Sequence, residues 1–150
     1  MKFRLLMAGL ALPLMCAEPA GYKFWSGAQL LDAEKGLKLS GRKVASERVA
    51  SFGNHYALVL HREASGEAEL HQRQADVMVI QSGSATLVVG GNIPKARTTT
   101  PGEVRGASIE GGSKQKISAG DIVHIAAKTP HQILLEPGQQ LNYFTLKVNE

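Results

Sequence analysis

Apolar positions change rhythm along the chain. Between Tyr22 and Leu39 they fall at helical spacing, with Leu30, Leu31 and Leu37 joined by Ala28 and Ala33 in one stripe. Ser26 stands where an N-cap belongs, and Lys35 and Lys38 lie toward the C-terminal end, where cations suit the helix dipole. Trp25 is placed to pack back as a staple. From about residue 44 the helical period gives way to short runs rich in β-branched residues. His55–Glu63 is one such run. Val77–Gln81 and Ala85–Val89 read as two strands hinged at Ser82-Gly83-Ser84. Further short strands follow, broken at Ala119-Gly120-Asp121, Thr129-Pro130 and Pro137-Gly138. Many short strands with regular Gly and Pro breaks predict an all-β sandwich or barrel. The segment Asn92–Gly112 lacks a clear period and reads as a long excursion, or as short edge strands.

The first residues follow a different logic. Lys2 and Arg4 precede an uncharged apolar run, Leu5–Met15, and Ala17 offers a small residue before a cut at Glu18. That is the pattern of a secretory signal peptide, and the run is well short of the ~20 residues a spanning helix needs. Cys16 raises a lipoprotein alternative, but Pro13, Leu14 and Met15 make a poor lipobox. The chain of 150 residues thus divides into a signal (1–17), an N-terminal arm with one helix (18–43) and a single β domain (44–150). The expected destination is the periplasm or the exterior, with no membrane role after signal removal. Without residues 1–17, Lys plus Arg falls from 17 to 15 against 13 acidic residues, a net charge of about +2. The basic residues are scattered, and a nucleic-acid surface needs a basic stripe, so nucleic acid is not an expected partner.

Candidate chemistry lies in two stretches. In "EAELHQRQADVMVIQSG", Glu69, His71 and Arg73 fall at spacing two, which on a strand puts them on one face. A carboxylate, an imidazole and a guanidinium make a poor core, so that face meets solvent or lines a polar cavity. Asp76 opens the next strand at the mouth of an apolar face carrying Met78 and Ile80. In "GDIVHIAAKTPHQILLEPG", His131 starts a strand directly after Pro130, where the turn restricts the backbone. His55, His61 and His124 show no such pattern.

Together these stretches resemble the cupin superfamily. Its first motif is commonly G-x5-H-x-H-x(3,4)-E-x6-G, and this chain has Glu69-x-His71-x4-Asp76-x6-Gly83. His71 and Gly83 match; Glu69 stands for the first histidine and Asp76 for the glutamate. The second motif is commonly G-x5-P-x-G-x2-H-x3-N. Gly120 and His131 match it, while Ala126, Lys128 and Leu135 replace the proline, second glycine and asparagine. The resemblance covers residues 50–149 and implies a cupin (double-stranded β-helix, jelly-roll) barrel with a short N-terminal helix. It also implies a divalent metal site at Glu69, His71, Asp76 and His131, for Zn, Fe or Mn. Asp76, one methylene shorter than glutamate, reaches such a metal directly or through water. Arg73 is a candidate to hold a carboxylate substrate. Homodimers built on the outer face of a sheet are common in the family, and Val77, Val79 and "LNYFTLKV" offer apolar outward positions.

Fold does not select an activity, and three readings follow. One is an exported metal-dependent enzyme of oxygenase, isomerase or lyase type, acting on a small polar molecule. Another is a non-catalytic binding module for a sugar or organic acid. The third is an interaction protein without metal. A metal-free polar cluster of the same four residues also stands as a form of the site.

Overall fold

The computed structural model describes residues 19–39 and 41–150; the expected signal peptide, with Cys16, lies outside them. Among the described residues one helix, α1 (Gly27–Gly36), precedes ten strands. Its start is built as the sequence predicts. The Ser26 side chain accepts from the Gln29 backbone N–H, and the Gln29 side chain accepts in return from the Ser26 N–H, a complete capping box.

The strands are β1 (Val44–Phe52), β2 (His55–Arg62), β3 (Ala68–His71), β4 (Gln74–Val89), β5 (Arg97–Thr100), β6 (Glu103–Gly106), β7 (Ser113–Ser118), β8 (Ile122–Ile125), β9 (His131–Leu134) and β10 (Leu141–Asn149). They hydrogen-bond in the order β1-β2-β10-β4-β9-β3-β6-β5, with β7 and β8 also pairing with β4. Every pairing is antiparallel. The excursion at 92–112 therefore holds two short strands, β5 and β6, and β6 pairs with β3.

The hinge expected at Ser82-Gly83-Ser84 is not a break. β4 runs through it as one strand of 16 residues. Its first half pairs with β10 and β8, its second half with β7 and β9. Gly83 has φ 81° and pairs with Leu141, next to a register shift between Asn142 and Tyr143 that leaves Gln81 as an extra residue in β4. A Cβ there would meet the Gln140 carbonyl oxygen at 1.9 Å. Glycine lets the strand bend and pass from one sheet to the other without ending.

Alternation along these strands builds two apolar layers. Met78, Ile80, Leu87, Ile117, Ile125, Ile133, Leu141 and Tyr143 fill the barrel interior. Full burial of each such side chain is worth roughly 1.5–3 kcal/mol. On the opposite face Ala57, Val59 and Phe144 are covered by Trp25, Leu30, Ala33 and Leu37 of the N-terminal arm. Trp25 sits 5.2 Å from Phe144, centroid to centroid. α1 thus lies on an outer sheet face, and its Leu31 is exposed. Part of the apolar outer surface expected to serve a dimer is thus used within the chain: Phe144 is covered by the arm, and Val79 and Leu146 pack into the same cluster.

Candidate metal centre

Strand register assembles the site. Glu69 on β3 is directly opposite His131 on β9 and opposite Arg105 on β6. His71 is opposite Glu103 on β6, and Asp76 on β4 is opposite Lys147 on β10. Cross-strand neighbours on one face have Cβ atoms roughly 4.5–5.5 Å apart, so each alignment becomes a side-chain contact. Arg105 pairs with the Glu69 carboxylate, and Glu103 Oε1 accepts from His71 Nδ1 at 2.7 Å. Lys147 Nζ donates to Asp76 Oδ2 at 2.6 Å.

Glu69, His71 and His131 each offer one ligand atom to a common point, all within 4.8 Å of one another. His131 Nε2 lies 3.6 Å from Glu69 Oε1, and His71 Nε2 lies 3.9 Å from Glu69 Oε2. Ligands at ~2.1 Å from a tetrahedral ion stand about 3.4 Å apart, so a small inward movement closes this set. Both imidazoles are aimed. His71 Nδ1 donates to Glu103, and His131 Nδ1 donates to the Thr129 carbonyl at 3.0 Å. Each ring therefore turns Nε2 to the centre, the usual outer support of a metal-bound histidine. His131 Nε2 is buried without a hydrogen-bond partner among the described residues. That nitrogen, in ion-pair range of Glu69 and Asp76 but hydrogen-bonded to neither, and the mixed imidazole–carboxylate donor set fit a divalent metal.

The other two expected residues behave differently. Asp76 Oδ2 lies 3.5 Å from both His71 Nε2 and His131 Nε2, at the rim of the set, but it is held by Lys147. Arg73 does not continue the face of His71. β3 ends at His71 and β4 begins at Gln74, so spacing two loses its meaning in the intervening turn. Arg73 is exposed there, on the wall of an open cleft of about 1070 Å³ that also touches His71 and Glu103. A second cleft of about 580 Å³ reaches Glu69 and is lined by Arg42, Arg62, Arg97 and Arg105. The remaining histidines stay away from the centre: His61 contacts Asn142 and Glu63, His55 contacts Asn54, and His124 is exposed.

Lys147 is the feature that spacing did not reveal. Its ammonium also donates to His71 Nε2 at 2.8 Å. A protein cation thus stands among the donors a metal would use. The electrostatics without metal follow from this crowding. Burial raises the Glu69 carboxyl, but His131, Arg105 and Lys147 outweigh it and hold it down at about 2. Burial likewise raises Asp76, and His131, His71 and Lys147 hold it well below the usual carboxylate range. Burial lowers His131, yet Asp76 and Glu69, with the Thr129 carbonyl, push it up to about 9.

No family model and no curated protein matches the chain; solved structures do. An uncharacterised conserved protein with a double-stranded β-helix domain from Klebsiella pneumoniae superposes with TM-score 0.59 at 13% identity, over 85% of this chain and 90% of that one. KdgF from Halomonas sp. gives 0.55 at 17% identity, over 79% and 92%. The polyketide cyclase RemF from Streptomyces resistomycificus gives 0.53 at 13%, over 77% and 76%.

Proposed function

With the cupin fold as the premise, we propose that the chain is an exported cupin that binds a divalent metal through Glu69, His71 and His131 and acts on a small polar molecule. The observation that carries this reading is the buried Nε2 of His131, hydrogen-bonded to no described residue and converging with Glu69 and His71 while both imidazoles are anchored through Nδ1. Zn, Fe or Mn suits the donor set. When bound, the ion supplies Lewis acidity to a carbonyl or hydroxyl oxygen of the substrate.

The chain's own residues do the rest. Glu103 and Thr129 fix the imidazoles. Arg105 orients Glu69 from outside the centre. Lys147 and Asp76 form an acid–base pair beside the ligands, close enough to donate or accept a proton at a substrate oxygen. Export is supported by Lys2, Arg4 and the apolar Leu5–Met15. A homodimer formed by outer sheet surface left uncovered by α1, near exposed Ile122 on β8, belongs to the same reading.

A second reading is favoured by one contact: the Lys147 ammonium on His71 Nε2. In that reading the cluster works without metal, as an acid–base site or as a binding module for a sugar or organic acid. One experiment decides. The chain is equilibrated anaerobically with Zn, Mn or Fe(II), dialysed, and its metal content measured beside His71→Ala and His131→Ala. Near one ion per chain, lost in both folded variants, supports the first reading. No retained ion of any kind moves the assignment to the second.

A further inference from the structure

Arg62 ends β2, and little among the described residues answers its charge. It is 8% exposed. Its Nη2 donates to the Tyr143 hydroxyl at a long 3.5 Å, and its Nε is buried without a partner. It makes no salt bridge among the described residues. Its neighbours in the smaller cleft are differently placed: Arg97 is paired with Glu67 at 2.5 Å, and Arg105 with Glu69. A buried cation with only one weak neutral bond is costly unless an anion joins it.

The cleft leaves room for that anion. Its volume is about 580 Å³, and Arg62 and Glu69 are both on its wall. Gly66 opens the space beside the guanidinium, since a Cβ there would lie 2.5 Å from Arg62 Nη1. The backbone at Gly66 is not left-handed, so what glycine provides here is clearance. The same cleft therefore presents the Arg62 guanidinium and Glu69, a member of the centre formed with His71 and His131.

We propose that Arg62 is the anchor for the oxyanion group of an acidic substrate, a small carboxylate or phosphate whose other end reaches Glu69. The proposal rests on the reading that Glu69, His71 and His131 form the reacting centre. It makes Arg62 a substrate-binding residue and the smaller cleft the substrate site. A guanidinium accepts carboxylate and phosphate alike in a two-pronged contact.

The test is calorimetric titration of the metal-free chain with L-malate, with inorganic phosphate and with uncharged malamide. The variants are R62Q and G66A, each checked for folding by circular dichroism. The expected result is binding of malate, phosphate or both, and none of malamide. R62Q weakens that binding by about 30-fold or more. G66A weakens it too, by pushing the guanidinium aside. Because the titration uses the metal-free chain, failure of the metal reading is separate from failure of this one. The tighter of the two anions identifies the substrate group as carboxylate or phosphate. The proposal is overturned if neither anion binds, if malamide binds as well as malate, or if folded R62Q binds with unchanged affinity. Where R62Q does not fold, unchanged affinity in G66A overturns it.

Discussion

Replacing Lys147 with methionine should tighten metal binding. Methionine keeps the stem of a side chain that is 13% exposed and removes the ammonium. In the native chain an incoming ion must displace that ammonium from His71 Nε2 at 2.8 Å and Asp76 Oδ2 at 2.6 Å. Hydrogen bonds involving charged groups contribute about 1.5–3 kcal/mol each, so the two together are worth about 3–6 kcal/mol. Rehydration of the released ammonium returns part, leaving a net cost of about 2–4 kcal/mol. At 1.4 kcal/mol per decade, Lys147→Met should bind Zn roughly 30- to 1,000-fold more tightly. The metal-free variant should also be less stable, by about 1–3 kcal/mol, because Asp76 loses one of its two buried countercharges and keeps His131. Metal should restore that stability. Calorimetric titration with Zn at pH 7, paired with denaturant unfolding, reads both quantities. Equal or weaker Zn binding in a folded variant would refute the idea that Lys147 and the metal compete for one set of donors.

Three further outcomes follow. Glu103→Ala frees the His71 ring from its 2.7 Å anchor and should weaken metal binding about 10- to 100-fold, measured by the same titration. The metal-free chain should show a stability plateau that falls on both sides. His131 is raised to about 9, so its contribution is complete below about 6.5 and lost as pH rises through 9. Glu69 is lowered to about 2, so its contribution is present above about 4.5 and lost as pH falls toward 2. Urea midpoints across this range check it, and a stability maximum near pH 10 would contradict the charged His131. Gly83→Ala sets a Cβ against the Gln140 carbonyl at a left-handed φ, and should cost more than about 3 kcal/mol; a loss under 1 kcal/mol in denaturant unfolding would show that the bend tolerates a side chain.

The shared face of Glu69 and His71 and the fixed start at His131 were legible because two strand properties are local, and the resemblance to cupins implied that they converge. Spacing two puts Glu69 and His71 on one face, and the Thr129-Pro130 turn starts β9 at His131. The residues that complete the site were not legible, because register delivers them from far along the chain. Glu103 reaches His71 from 32 residues away, Arg105 reaches Glu69 from 36 and Lys147 reaches Asp76 from 71. In the sequence Glu103 and Arg105 sat in a segment without a clear period, and Lys147 in a terminal strand that read as an apolar surface. Two expectations failed where local pattern was pushed past its limit. Alternation assigned Arg73 to the face of His71, but the strand had ended. Gly83 read as a hinge, whereas it is the point at which an unbroken strand bends between sheets.

The most direct test of the account is a crystal of the chain soaked in Zn and measured at the zinc absorption edge. The expected result is an anomalous peak with Glu69, His71 and His131 donors at about 2.0–2.2 Å and Lys147 Nζ withdrawn from His71. Full occupancy of zinc elsewhere, with the Lys147 ammonium still on His71 Nε2 and Asp76, would contradict it.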